Sequence, residues 1–96
     1  MYTVDFVLDG STIESLSPPE GSEEVWFGAG FDLRTEESVP ALNMMADVLY
    51  ASQLLKASPE YFRGLYGGRY LTTLRFLDDL YELCESYPDA TLDVRY

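Results

Sequence analysis

Residues 2–8, "YTVDFVL", alternate as a half-buried strand does, with Tyr2, Val4, Phe6 and Leu8 on one face. Asp9-Gly10 follows, and both positions tolerate positive φ, so a tight hairpin is expected there. "STIESL", 11–16, reads as the return strand, which places Ser15 on the apolar side. "SPPEGSEE", 17–24, is a loop because two prolines remove donors and Gly21 relaxes the backbone. "VWFGAGFDL", 25–33, reads as a further strand with Val25, Phe27, Ala29, Phe31 and Leu33 on one face.

The period then changes to that of helices. Ser38 is a candidate N-cap with Pro40 in the first turn, and a helix is expected over about 39–57. Leu42, Met45, Ala46 and Leu49 fall on one of its sides; Met44, Val48 and Leu55 fall on another. So broad an apolar surface suits a helix contacted from two sides, or one partly used for self-association. Ser58-Pro59-Glu60 opens a short helix that ends before Gly67-Gly68. A last helix, about 69–86, turns Leu71, Leu74, Leu77, Leu80, Leu83 and Cys84 inward, with Thr72, Arg75, Asp79, Glu82 and Ser86 outward. Pro88 stops it, and "ATLDVRY" closes the chain as a strand.

This order, β-β-(β)-α-α-α-β, predicts a single α+β domain over 1–96. Its antiparallel sheet has three to four strands, with two to three helices on one face and the last strand beside the first. A packed core is feasible, since 47% of residues are apolar and 15% aromatic.

Charge changes the picture. Seventeen acids against six bases give a net charge of −11. Residues 1–33 hold seven acids and no base, and residues 78–96 hold six acids and one base, so the excess sits at the two chain ends. Two exposed carboxylates ~6 Å apart repel by roughly 0.7 kcal/mol before salt screening. Several such pairs would cost about as much as a good core substitution, which suggests a use; halophilic adaptation and solubility are other reasons for such an excess. Asp78, Glu82 and Glu85 share one helix face at i, i+4 and i+7. They advance by ~6 Å and ~4.5 Å along the axis, against about 3.4 Å per phosphate on a DNA strand. The ordinary alternative is a solvated helix face.

Other chemistry finds little footing. The chain has no His, so acid–base catalysis near neutral pH would need a perturbed carboxylate, Tyr or Cys, and no enzyme is expected. Cys84 reads as a buried small hydrophobe. One Cys and no His make no zinc site, and the acids lack calcium-loop spacing, so neither metal nor cofactor is expected. "FGAGFD" and "GLYGGRY" fall short of a phosphate loop. The N-terminus lacks a signal-peptide pattern and no stretch reaches a membrane-spanning length, so a cytoplasmic location is expected. Nucleic acid and anionic lipid are polyanions, so neither is an expected direct partner.

The expected partner is a basic, nucleic-acid-binding protein or complex, with a homodimer as a further option. In size, charge and lack of catalytic groups, the whole chain resembles small acidic phage-encoded inhibitors, the anti-CRISPR and anti-restriction proteins that mimic nucleic acid. The resemblance implies a target whose DNA or RNA access is blocked, and a host cytoplasmic setting. Candidate contact residues are Asp78, Asp79, Glu82, Glu85, Asp89, Asp93, Asp5 and Asp9. Tyr81 joins them because tyrosine pairs a large apolar ring with a polar tip. An immunity protein or antitoxin for a basic toxin uses the same electrostatics, and a structural or self-associating protein is the remaining alternative.

Overall fold

A computed structural model describes residues 3–22 and 39–95 of the chain. The strand expected at 25–33, the Ser38 cap and residues Tyr2 and Tyr96 fall outside them. Strands β1 (Thr3–Leu8) and β2 (Ser11–Leu16) form the expected hairpin. Asp9 at φ 53 and Gly10 at φ 79 supply the two positive-φ positions that match a two-residue turn to the strand twist.

The register of this hairpin is not uniform. Phe6 pairs with Glu14 but Val7 pairs with Thr12, so Ile13 is an extra residue in β2. Such a bulge lets Ile13 and Leu16, three positions apart, both pack against the core. It also moves Ser15 off the apolar side. Ser15 pairs with Asp5, whose neighbours Val4 and Phe6 point into the core, so Ser15 and Asp5 share the opposite sheet face.

Strand β4 (Thr91–Arg95) lies antiparallel beside β1, as expected, and β3 (Val39–Pro40) lies on the far side of β4. The sheet order is β2-β1-β4-β3. Strand β3 corrects the expected helix start at 39. Val39 and Pro40 are extended and pair with Leu92 and Thr91, and helix α1 (Ala41–Ala57) begins one residue later. Pro40 is tolerated because an edge strand can spare a donor. The Ala41 amide donates to the Ala90 carbonyl at 2.8 Å, fixing this junction beside β4.

Helix α2 (Pro59–Tyr66) follows after Ser58, and Gly67 at φ 61 ends it with its amide on the Arg63 carbonyl at 2.8 Å. Helix α3 (Gly68–Ser86) begins at once. Its inner stripe is Tyr70, Thr73, Phe76, Leu77, Leu80 and Cys84. Leu71 was expected there and is exposed instead. Leucines every three residues drift by about 60° per step around a helix, so the run from Leu71 to Leu83 winds off the buried stripe at both ends. Helix α1 shows the matching correction. Met44, Val48 and Leu55 are fully buried with Ala41 and Ala51, whereas Leu42 and Leu49 stay exposed and, of their side, Met45 packs against the core.

The core joins one sheet face to the three helices of the described residues through Val4, Phe6, Leu92, Val48, Phe62 and Leu77. Burying each such side chain contributes about 1.5–3 kcal/mol. An aromatic stack ties the helices together. The Phe62 ring lies near-parallel to Tyr66 and Tyr70, with centroids 6.3 and 6.5 Å away. The Tyr70 hydroxyl donates to the Leu55 carbonyl at 2.9 Å, satisfying one of the orphaned acceptors at the end of α1.

Candidate functional site

The expected contact residues separate into three places. Helix α3 presents Asp78, Asp79, Glu82 and Glu85 on its exposed side, because the opposite stripe is held in the core. Asp9, at the hairpin tip, and Asp89, in the turn after α3, are both exposed. The β1–β4 register pairs Val7 with Thr91, so these two lie at the same end of the sheet. Asp5 and Asp93 are paired across β1 and β4 on the sheet face away from the core cluster. Asp93 is half-buried and Asp5 only 4% exposed, with the Ser15 hydroxyl donating to Asp5 Oδ1 at 2.7 Å. Adjacent terminal strands therefore bring Asp5 and Asp93 together, but on a different side from the α3 carboxylates, so the acids of the two chain ends do not form one continuous face. Tyr81 is half-buried and packed against the core, so its ring serves the fold first.

The α3 carboxylates are not equivalent. Lys56, in the last turn of α1, reaches Asp78 Oδ1 at 3.4 Å, with both side chains more than half exposed. Such a pair contributes at most about 1 kcal/mol. Among the described residues, no base lies within 4 Å of Asp79, Glu82 or Glu85. Arg75 is exposed one turn before Asp79 on the same helix.

The position of Glu82 and Glu85 along the helix also works against stability. Glu82 and Glu85 lie in the last two turns of α3, whose final turn carries no base. The carboxyl end of a helix carries partial negative charge, so an acid there costs about 0.3–1 kcal/mol. A sequence selected only for stability would place Lys or Arg there.

Asp79 and Glu82 also border a shallow groove of about 360 Å³, whose other walls are Leu16, Leu83 and Ser86. Leu16 ends β2, so the groove runs between the edge of the sheet and α3. It has carboxylates at its rim and leucine methyls in its walls. Glu14, exposed and two residues before Leu16 on β2, extends negative charge along the same strand. The sequence pattern did not single out Leu16, Leu83 or Glu14 as part of a site. No local signal marks them, because the groove arises only when α3 packs beside β2.

The remaining chemistry is sparse. Cys84 is buried, and desolvation pushes its thiol up to about 12, so it holds its proton and is no nucleophile. Among the described residues, no group of three or more His, Cys, Asp or Glu side chains is placed to hold a metal ion. Nor is any helix among them long and apolar enough to cross a membrane. The Arg69 guanidinium lies 5.9 Å from the Tyr66 ring centre and donates to the Tyr66 carbonyl at 3.3 Å, a helix-end role. The chain matches no known protein-family model, no curated protein and no solved structure.

Proposed function

We propose that this protein is an inhibitor that binds the basic, nucleic-acid-binding surface of a target protein or complex and blocks access of DNA or RNA. The observation that carries the reading is the exposed C-terminal half of α3. There Asp79, Glu82 and Glu85 have no base within 4 Å among the described residues, and Glu82 and Glu85 sit toward the negative end of the helix dipole. Charge kept at a cost to folding fits a binding role better than solubility, which acids anywhere on the surface would supply.

The groove adds a specific fit. A Lys or Arg of the target would lay its aliphatic stem along Leu16 and Leu83 and place its cationic head between Asp79 and Glu82. Glu85 continues the charge along the helix, in the place where the target's basic residues otherwise hold phosphates. Asp9 and Asp89 would contribute to long-range steering from the end of the sheet, while Asp5 is too buried to touch a partner. The setting is the cytoplasm of a cell that carries such a target.

The test is capture from lysates of cells carrying CRISPR or restriction systems, followed by competition with duplex DNA at two salt concentrations. Recovery of a nucleic-acid-binding protein that DNA displaces supports the reading. Recovery of a dedicated toxin would assign the protein as an immunity factor instead, and recovery of neither would remove both.

A further inference from the structure

The outer face of α1 is apolar and exposed, and no other described element packs on it. Leu42, Leu49, Tyr50 and Leu54 are 62%, 42%, 64% and 37% exposed, with Ala46 and Gln53 exposed between them. These six positions lie on the side of the helix opposite Met44, Val48, Ala51 and Leu55, which fill the core. Helix propensity needs no leucine there, and a monomeric surface would normally carry charge.

We propose that this face pairs with the same face of a second copy of the chain, forming a two-fold dimer through α1. Three features point to a second copy rather than to the basic target. The six positions hold no charge and are bordered by one exposed acid, Asp47, and one exposed base, Lys56, so this face is neutral in a chain of net charge −11 and offers a cationic surface little to recognise. Two such chains repel one another, and an uncharged face is where they approach at least electrostatic cost.

The area also fits. The four large side chains expose on the order of 400 Å² per copy. With Ala46 and Gln53 between them, complete burial of the face would cover roughly 600 Å² per copy. For the pair this is the lower bound of a stable interface, about 1,200 Å². An isologous pairing buries each exposed leucine twice, once from each copy. It would also present two acidic α3 faces at once, raising avidity for a repeated basic surface.

Sedimentation equilibrium of the whole chain, from about 1 µM to 500 µM and at low and high salt, tests this. Twice the chain mass is expected at the upper concentrations. Dissociation should become weaker by several-fold at high salt, because screening relieves the repulsion between copies. Leu49→Asp, and separately Leu42→Asp, should weaken the dimer about 100-fold while leaving the circular dichroism spectrum unchanged. If Leu49→Asp loses its helical signal, Leu42→Asp decides. A wild-type chain that stays monomeric throughout, or variants that still dimerise, overturns the proposal. So does an α1 face that becomes protected from labelling only when a basic protein is added. The sedimentation results leave the α3 reading untouched, since its contact must weaken with salt where this one strengthens, whereas protection of α1 by a basic protein would count against both.

Discussion

The Ser15 hydroxyl donates to Asp5 Oδ1 at 2.7 Å across the β1–β2 hairpin, holding a carboxylate that is only 4% exposed. Asp5 also faces Asp93 on β4. Two carboxylates opposite one another in a sheet are unfavourable, so each donor to Asp5 matters. Ser15→Ala should lower stability by about 0.5–1.5 kcal/mol, the net range for one hydrogen bond, because Asp5 keeps a further interaction. Urea unfolding measures it. A loss below ~0.3 kcal/mol would mean that the bond contributes nothing.

Tyr70 closes the carboxyl end of α1 from α3. Its hydroxyl reaches the Leu55 carbonyl at 2.9 Å and is buried. Tyr70→Phe keeps the ring stacked on Phe62 and removes only that bond, so a loss of about 1 kcal/mol is expected. Tyr70→Ala removes the stack as well and should cost about 3–5 kcal/mol. Thermal unfolding of the pair separates the hydroxyl from the ring.

Cys84 provides a pH readout. Burial raises its pKa from 9.0 to about 12, so the folded chain keeps the proton that the unfolded chain releases at lower pH. The contribution is therefore fully present below pH 9 and is lost as pH rises from 9 toward 12. Wild type and Cys84→Ala should differ in stability by a constant amount below pH 9 and converge above it. A thiol reagent at neutral pH should react with Cys84 only as fast as the chain opens.

Much of this fold was legible in the pattern of side chains, and particular residues show where legibility stopped. Asp9-Gly10 named its own turn because few sequences tolerate two successive positive φ values. The α2 boundary was readable from Pro59 and Gly67 for the same kind of local reason. Pro40 misled, since a proline before an apolar run suits either a helix start or an edge strand. Pairing with Thr91, a residue 51 positions further along the chain, decided between them. Leu71 misled because periodicity gives a helix its stripe without saying how much of it is covered. In the candidate site, the acidity of α3 was plain from Asp78 to Glu85. The Lys56–Asp78 pair and the Leu16 wall were not, because both depend on which elements become neighbours in space.

The placement of Glu82 and Glu85 at the carboxyl end of α3 predicts an inverse relation between stability and binding. Replacing each by Gln relieves repulsion with the helix dipole and should raise stability by about 0.3–1 kcal/mol per site. The same changes should weaken capture of a basic target. Thermal unfolding and capture yield, measured on the same preparations, give both halves.

The most direct test of the central claim is the association rate with the captured target, measured at low and high ionic strength. It is compared between wild type and Asp79→Lys/Glu82→Lys/Glu85→Lys, which leaves the Lys56–Asp78 pair in place. The wild-type rate should fall steeply with salt, and the variant should associate at least about tenfold more slowly at low salt with little salt dependence, while remaining folded. Equal rates for the two proteins at low salt would show that the acidic face of α3 is not the contact.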